Sequence, residues 1–410
     1  MTADVVFVAN AGSGTIDCTA FQLDAAGHGA AEAVWQLDVV RHSDPQMVTV
    51  AANGTTIEFE AKAGNLAAAI DPALPMLWTG PTSVVHSPDR VRAVGHRIVH
   101  GGDANGPRSL DAATLDEIRR NSRFAPLHNP PGLELIDLVS RAIPDVEGVA
   151  VFDTSFHRTI PTSSAAYGGP LSWIEEGLHR YGFHGISHEN VAHRTAEILD
   201  RPLEDLELIS VHLGGGCSAT AVRFGASVDT TMGLTPTDGM VMAARSGSVD
   251  PGLLLYLIRR DDLDVDQLES LLNRDSGLMG LTAGATGDIA RVSEGADDDA
   301  VFALARDVYV RAAARSIAAM RTSLDALDAI TFTGGAAASA PEVVAAIVRR
   351  LAHLGIDVDP SRVDVRHRGG GDRVVSSDTS AVTALLLRAD ENRAIADAVV
   401  RHRDLGPTVA

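Results

Sequence analysis

The chain has 410 residues, of which 45% are hydrophobic and 21% are charged, a composition that excludes a disordered or fibrous protein and favours two globular domains of ordinary size. Its 54 acidic and 34 basic residues give a net charge of -20, which opposes binding to nucleic acid or to anionic membrane surfaces. An anionic substrate would therefore have to meet a local cluster of cations.

Cysteine content and the N-terminus bear on the compartment. Cys18 and Cys217 are the only cysteines, too few for a disulfide framework, and they have no metal-type spacing. The chain starts without the basic segment and small-residue cleavage site of a signal peptide, and no apolar run approaches the ~20 residues of a membrane helix. We therefore expect a soluble, cytoplasmic protein.

In chain order, the first predicted elements form a hairpin, with strands at residues 5–9 and 16–23 joined by a turn at residues 10–15. Further strands are predicted at residues 94–100, 148–152, 208–213, 219–223 and 329–332. Helical periodicity is found at residues 111–120, 133–142, 188–199, 251–260, 301–327, 341–354 and 380–401. This alternation of strands and helices predicts an α/β protein.

Two glycine-bearing turns follow predicted strands. The first, at residues 10–15, combines the amide of Asn10 with the hydroxyls of Ser13 and Thr15, and the second is a run of three glycines at residues 214–216. Small residues and backbone amides at such turns suit a phosphate group. Each pattern alone is more typical of an ordinary turn.

Polar clusters at five places are more specific than the glycines. They combine Arg, His or Asp with glycine, proline or aromatic neighbours, and they lie at residues 96–102, 127–131, 152–157, 181–185 and 244–248. A surface salt bridge or a satisfied core histidine explains any one of them. All five together indicate a common site for an anion.

These segments, in this order, resemble the acetate kinase family of actin-like phosphotransferases over almost the whole chain. The resemblance is carried by residues 93–102, 125–131, 151–157, 181–185 and 229–251. It implies two actin-like (RNase H-like) α/β domains with a central cleft, the first formed by residues 1–155 and 381–410 and the second by residues 156–380. It also implies a homodimer that reversibly transfers a phosphoryl group from ATP to acetate or propionate with Mg²⁺, or Mn²⁺ in its place.

Residue by residue, the resemblance assigns catalytic roles to Arg97, His128, Asp153, His184 and Arg245. The two arginines would neutralise the carboxylate and the phosphoryl oxygens, the histidines would lie at the transferring phosphoryl group, and the aspartate would orient arginine and substrate. A carboxylate substrate is already ionised at neutral pH, because its pKa is about 4. The chemistry therefore needs charge neutralisation and in-line placement rather than a general base.

The resemblance also assigns binding residues. The short-chain carboxylate would contact Arg97, Val99, Leu127, Phe183 and Pro236. The donor nucleotide and its phosphates would contact Asn10, Ser13, Thr15, Asp17, His212, Leu213, Gly214, Gly215, Gly216, Asp288, Gly335, Ala336, Ala337, Ala338 and Ser339. The metal would lie near Asn10, with Thr379 in place of the family's magnesium-associated glutamate and Asp378 beside it able to act through water.

Departures from the family pattern fall mainly on the nucleotide side. Asp17 replaces a lysine, Gly215 replaces an asparagine, and residues 335–339 lack the acid and the amide of the family's adenosine motif. A carboxylate at position 17 would oppose a nearby triphosphate unless it turns away or faces the metal. Three interpretations therefore stay open: an ATP-dependent kinase, the same chemistry with pyrophosphate or another donor, and a non-catalytic paralogue that senses a metabolite or binds a partner.

Overall fold

The protein's structure, a computed structural model, describes residues 4–12, 14–23, 30–41, 44–363 and 371–403. It divides into two compact units, one formed by Met1–Ser155 with Asp390–Ala410 and the other by Phe156–Ala389. Each unit contains one β-sheet. The domain division predicted from the sequence, with its return at residue 381, stays a prediction; in the structure the second change of unit falls between Ala389 and Asp390.

The strands of the described residues are β1 Val5–Ala11, β2 Thr15–Leu23, β3 Ala30–Val40, β4 Gln46–Ala52, β5 Thr55–Ala61, β6 Val91–Ile98, β7 Arg108–Ser109, β8 Gly148–Phe152, β9 Glu207–Leu213, β10 Cys217–Arg223, β11 Ala226–Thr230, β12 Ala329–Thr333, β13 Arg373–Val374 and β14 Thr383–Leu386.

The α-helices are α1 Leu66–Ala73, α2 Ala112–Asn121, α3 Asn129–Ala142, α4 Thr162–Ala165, α5 Leu171–Glu175, α6 Gly185–Leu199, α7 Pro251–Asp261, α8 Val265–Arg274, α9 Gly277–Leu281, α10 Ile289–Gly295, α11 Ala300–Met320, α12 Gly335–Ser339, α13 Pro341–Arg350, α14 Pro360–Val363 and α15 Glu391–His402. None of the described helices is long and apolar enough to cross a membrane.

The first unit is built on a sheet with the strand order β5-β4-β3-β2-β1-β6-β8-β7. β1 pairs in parallel with β6, and β6 in parallel with β8, whereas β2 to β5 extend the sheet as antiparallel neighbours. Helix α15 packs directly on β6, because a Cβ on Gly95 would lie 2.7 Å from Val399 and 2.8 Å from Ile395. Glycine at position 95 therefore lets the middle of α15 lie close against β6.

The second unit is built on a sheet with the strand order β11-β10-β9-β12-β14-β13. β9 is buried along its whole length and pairs antiparallel with β10 and parallel with β12. Helix α6 contacts β9, and helix α11 contacts β10. The buried apolar residues of β9 and β10 thus form the base on which the polar start of α6 is placed.

The predicted hairpin is confirmed, since β1 and β2 pair antiparallel from Val5↔Gln22 to Ala11↔Ile16. The predicted helix at residues 380–401 is wrong in its first half. Residues Thr383–Leu386 form β14, which pairs in parallel with β12, and the helix starts only after Asp390, whose side chain accepts a hydrogen bond from the backbone of Arg393. A short apolar run fits a buried strand as well as a helix, so periodicity alone does not separate them.

Other boundaries also differ from the prediction. The helix predicted at residues 301–327 ends at Met320, and that predicted at 341–354 ends at Arg350, each followed by a short 3₁₀ turn. Strands β3 to β5 were not predicted at all. Their alternating burial is that of an amphipathic ribbon with one face on the core.

Candidate active site

Arg97 and Asp153 form a buried ion pair in the first unit. Arg97 lies on β6 and Asp153 follows β8, the parallel neighbour of β6, so that the sheet brings the two side chains to the same end. Arg97 Nε donates to both carboxylate oxygens of Asp153 at 3.2 Å, and Nη2 donates to Oδ2 at 2.7 Å. Asp153 is only 1% exposed. This geometry fixes the plane of the guanidinium group.

The second terminal nitrogen of Arg97 contacts two further residues. Nη1 donates to Asn10 Oδ1 at 3.1 Å and lies 3.4 Å from Glu391 Oε2. Burial acts to lower the pKa of Arg97, but the carboxylates of Asp153 and Glu391 outweigh burial and raise that pKa above its ordinary value. Arg97 is therefore a permanent cation. Glu391 has no sequence signal of its own, because it falls inside the helix predicted at residues 380–401.

Asp17 belongs to a chain of hydrogen bonds inside the first unit. Thr19 Oγ1 donates to Asp17 Oδ1 at 3.3 Å, and Asn392 Nδ2 donates to Thr19 Oγ1 at 2.9 Å. Asn10 Nδ2 in turn donates to Asn392 Oδ1 at 2.9 Å. Together with the bond between Asn10 and Arg97, the chain runs unbroken from Asp17 to Arg97. Asn392, like Glu391, has no sequence signal that marks it as a site residue.

The pKa of the Asp17 carboxyl group is raised to about 6. Burial is the largest cause, and Asp38, which faces Asp17 directly across β2 and β3, is the second. Glu391 raises the pKa further, whereas hydrogen bonds from Asn392 and Thr19 lower it. Burial also raises the pKa of Asp38. The carboxyl group of Asp17 thus has hydrogen-bond partners and neighbouring carboxylates within its own unit.

Val99, Leu127 and His128 lie on two segments of the first unit that the side chain of Asn129 holds together by hydrogen bonds. The side chain of Asn129 accepts from the backbone N–H of His100 and donates to its carbonyl, both at 3.0 Å. Val99, next to His100, is buried, while Leu127 and His128, next to Asn129, are half-buried. The buried amide thereby holds the segment of Val99 beside that of Leu127 and His128.

At the first turn, only part of the predicted phosphate-binding group is described. Thr15 is exposed at the start of β2, and its carbonyl accepts a hydrogen bond of 2.8 Å from Gly12. Ser13 lies outside the described residues.

In the second unit, His184 stands at the start of α6 with a φ of 57°. A positive φ is uncommon for residues other than glycine and costs backbone energy, which the surrounding structure must offset. The ring of His184 stacks on that of His212, with 4.3 Å between ring centroids, and its Nδ1 lies 2.8 Å from Ser218 Oγ. Contacts from two strands and the helix start therefore fix the imidazole plane.

Gly216 explains how Arg245 and His184 come together. A Cβ on Gly216 would lie 2.7 Å from Arg245 Nη2 and 3.0 Å from His184 Nε2, so both groups occupy the space that a side chain would fill. Arg245 Nη1 donates to the carbonyl of Pro236 at 2.7 Å. The loop of Arg245 is joined to the turn at 214–216 through the bond from Ala243 N to Gly215 O, 3.3 Å long.

The other apolar and nucleotide positions of the second unit are distributed as follows. Phe183 and Pro236 are buried, and His212 and Leu213 end the buried strand β9. The turn at 214–216 follows, with an N–H···O bond of 2.9 Å from Gly214 to Gly216. The short helix α12, which follows β12, consists of Gly335, Ala336, Ala337, Ala338 and Ser339.

Three predicted polar positions already have protein partners. Asp288 caps α10 by accepting from Ala290 N at 3.0 Å. Asp378 accepts from Arg362 Nη2 at 2.7 Å. The hydroxyl of Thr379 lies 3.1 Å from that of Ser377.

Comparison with known proteins decides the family. The sequence profile of the Acetokinase family matches residues 5–397. The chain belongs to the acetokinase family. It is 42% identical over 335 residues to the acetate kinase of Gloeobacter violaceus, a match that covers 80% of this chain and 81% of that protein. It is 40% identical over 404 residues to the acetate kinase of Synechococcus sp. (strain JA-2-3B'a(2-13)), which covers 96% and 98% of the two chains.

Solved structures of acetokinase relatives have the same fold. The Porphyromonas gingivalis acetate kinase has a TM-score of 0.87 at 27% identity and covers 97% of this chain and 99% of its own. A Francisella tularensis propionate kinase also has a TM-score of 0.87, at 29% identity, with the same coverage. The resemblance inferred from the motifs and the two-sheet α/β fold class are therefore confirmed, and this acetokinase is a phosphotransferase with a carboxyl group as acceptor.

A kinase of this family requires a divalent metal ion. Within the described part of the chain, no group of three or more His, Cys, Asp or Glu side chains is arranged to hold one. Mg²⁺ in phosphoryl-transfer enzymes is usually bound by donor phosphates and water together with one or two protein groups. The polar groups of this acetokinase therefore fit such a metal only if the donor phosphates and water supply the other ligands.

Proposed function

We propose that this acetokinase reversibly transfers the γ-phosphoryl group of ATP to acetate or propionate. A carboxylate oxygen attacks the γ-phosphorus, the bond from phosphorus to the β–γ bridging oxygen breaks, and ADP leaves as the acyl phosphate forms. No proton has to be removed, because the carboxylate is ionised at neutral pH. Catalysis then rests on positioning and on neutralising charge.

The observation that carries this proposal is the fixed guanidinium group of Arg97. Its plane is held by the hydrogen bonds that its Nε and Nη2 donate to Asp153, and the carboxylates of Asp153 and Glu391 keep it charged although it is buried. A preorganised cation can neutralise an incoming carboxylate without rotating into place during the reaction. In this role Asp153 orients Arg97, as the family resemblance implies.

Arg245 and His184 are the second group of this mechanism. Arg245 Nη2 and His184 Nε2 lie side by side at Gly216, and an arginine nitrogen and a protonated imidazole nitrogen are hydrogen-bond donors that phosphoryl oxygens accept. We assign His128 to the same group from the resemblance. From the same resemblance, we assign Val99, Leu127, Phe183 and Pro236, each an apolar residue that is buried or half-buried in its own unit, to the methyl or ethyl group of the acid.

The donor has one competing candidate, pyrophosphate. Residues 335–339 carry neither the acid nor the amide of the family's nucleotide motif, which favours a donor without adenosine. The other departure, the carboxyl group of Asp17, does not count against ATP. It is hydrogen-bonded to Thr19 and Asn392 of its own unit. We therefore keep ATP as the first candidate.

We propose Mg²⁺ as the metal, with Mn²⁺ able to replace it. Asn10 is the residue that the resemblance assigns to it, and its Oδ1 would have to share the metal with the hydrogen bond that it accepts from Arg97 Nη1. Asp378 would have to leave its ion pair with Arg362 to reach a metal. When bound, the ion neutralises charge on the donor phosphates.

Hydroxylamine trapping of the acyl phosphate tests the function and the donor together. Purified protein is incubated with acetate or propionate, magnesium, and ATP, pyrophosphate or no donor. Hydroxamate formed with ATP and lost on chelation of the metal supports the proposal. Hydroxamate formed only with pyrophosphate would move the donor assignment, and none with either donor would favour a non-catalytic sensor.

We also propose that the chain forms a homodimer and acts in the cytoplasm, the compartment of its donor ATP. Helix α7 supports the dimer: none of its residues is buried, although Leu253, Leu255 and Tyr256 are large and apolar, with exposed fractions of 44%, 54% and 56%. Single exposed apolar residues are normal, whereas several large ones on one helix form a surface that a partner can cover. A second copy of this chain is the occupant we propose.

A further inference from the structure

A chain of alternating serine and histidine side chains lies behind His184 in the second unit. Ser218 Oγ is 2.8 Å from His184 Nδ1 and 2.7 Å from His188 Nε2. His188 Nδ1 is in turn 2.8 Å from Ser210 Oγ. Ser210, Ser218 and His188 are fully buried. His184 immediately precedes α6, His188 lies in the first turn of that helix, and the serines come from β9 and β10.

The middle histidine of this chain is neutral. Burial lowers the pKa of His188 well below its ordinary value, and the neighbouring His157 and His212 lower it further. A neutral imidazole has one nitrogen that donates and one that accepts. His188 therefore donates to one serine hydroxyl and accepts from the other, and the choice sets the direction of the whole chain.

Only one direction suits a phosphoryl group at His184. If His188 Nε2–H donates to Ser218 Oγ, the Ser218 hydroxyl can donate to His184 Nδ1, and the proton of a neutral His184 then lies on Nε2. Nε2 is the nitrogen beside Gly216 and Arg245 Nη2. In the opposite direction Nδ1 carries the proton, and a neutral His184 would present a lone pair to phosphoryl oxygens, which repel it.

We propose that Ser218 and His188 are positioning residues that hold His184 as its Nε2–H tautomer, so that His184 donates a hydrogen bond to the transferring phosphoryl group. The identity of that acceptor rests on the proposed function. The direction of the chain rests on it as well, because the hydrogen bonds within the second unit allow either direction. Neither Ser218 nor His188 touches the reacting atoms in this account.

The kinetic test replaces Ser218. Ser218→Ala removes one hydroxyl without changing charge, and we expect kcat to fall about 10- to 100-fold while KM for acid and donor stays within about twofold. Ser218→Thr keeps the hydroxyl and should recover most of kcat. Ser227→Ala is the matched control: it removes a buried serine–histidine bond of 2.9 Å, to His157, and should leave kcat within about twofold of the wild type.

The tautomer test is independent of turnover. Nitrogen-15 NMR of the histidine rings, with His184 assigned by comparison with His184→Gln, should show Nε2–H in the wild-type protein and a mixture of tautomers in Ser218→Ala. A wild-type His184 found as Nδ1–H or as imidazolium would overturn the proposal, as would unchanged kcat and unchanged tautomer in Ser218→Ala. A wild-type protein that makes no acyl phosphate would overturn the proposed function, whereas the NMR signal would still decide the tautomer.

Discussion

At the scale of single residues, the protein places charge at particular atoms against an unfavourable background. Its net charge is -20, yet the proposed chemistry brings two anions together. Arg97 illustrates how this conflict is resolved, because two carboxylates keep it cationic while buried and Asp153 fixes its plane. The cation is thus stabilised by its own unit before any substrate arrives.

The two carboxylates beside Arg97 should therefore differ in their effect on activity. Asp153 accepts from two nitrogens and is nearly inaccessible, whereas Glu391 lies 3.4 Å away and its side chain is 16% exposed. We expect Asp153→Asn to lower kcat about 100-fold, because the guanidinium plane is no longer fixed. Glu391→Gln is the control, because it also removes one negative charge beside Arg97. It should lower kcat less than about tenfold. Equal losses in hydroxamate assays would contradict an orienting role for Asp153.

Asp17 allows a prediction about stability and pH. Its folded pKa of about 6 lies above the ordinary value of 3.8, so the folded state binds the proton more tightly than the unfolded state. The charged carboxylate then lowers stability as the pH rises from about 4 to 6, and that loss is complete above the folded pKa. Asp17→Asn should raise the free energy of unfolding by on the order of 1–3 kcal/mol at pH 8.

Thermal unfolding of wild type and Asp17→Asn between pH 4 and pH 8 measures this difference. The gain in Tm should be largest at pH 8 and should shrink towards pH 4, where Asp17 is protonated in the folded protein. A gain that does not depend on pH would mean that burial of the charge is not its cause.

The sequence motifs propose site residues, but they do not show which side chains those residues contact. The motifs named Arg97, Asp153, His184 and Arg245 because runs of unusual composition surround them. Glu391 has no such run, and the prediction of a helix through residues 380–401 hid the cap at Asp390 that marks the true helix start. Contacts between residues so distant in sequence can be predicted only when the pairing of the strands is known, and no local sequence pattern gives that pairing.

At the scale of elements, the β9–β10 turn controls the distance between a helix start and a loop. Gly216 leaves the space in which Arg245 Nη2 and His184 Nε2 meet. Gly216→Ala should move the flexible end of Arg245 while the fold persists, so kcat should fall by about 10- to 100-fold with little change in Tm.

Gly215→Ala is the comparison within the same turn, because a Cβ there meets nothing within 4 Å. The kcat of Gly216→Ala should lie well below that of Gly215→Ala in the same assay. If the two variants lose activity equally, loss of glycine's backbone freedom rather than crowding of Arg245 would be the cause.

Elements with strong local signals could be predicted from the sequence. The β1–β2 hairpin has a polar turn between two apolar runs, and β9 and β10 are apolar runs ended by glycines. β14 could not be recognised, since its four residues become a strand only through pairing with β12. Tertiary pairing here overrides a helical pattern.

At the scale of the whole molecule, the proposed dimer follows from α7 rather than from the site. Leu255→Glu should convert a dimer into a monomer, because it places a charge in the apolar contact that a second copy would form. Phe224→Asn, which changes an equally exposed residue at a turn, should leave the dimer intact. Sedimentation equilibrium distinguishes these results, and a monomeric wild type would contradict the proposal.

The fold and the family could be predicted because motifs spread over the chain resemble one family, whereas the donor could not, because the departures lie at the nucleotide positions. The central claim is that the guanidinium groups of Arg97 and Arg245 neutralise the charge of the carboxylate and the phosphoryl group, and that phosphoryl transfer depends on both. The most direct measurement is kcat for acyl-phosphate formation by Arg97→Ala and Arg245→Ala, with folding checked by Tm. The account predicts a loss of about 10³-fold in each folded variant, and normal turnover in either one would contradict it.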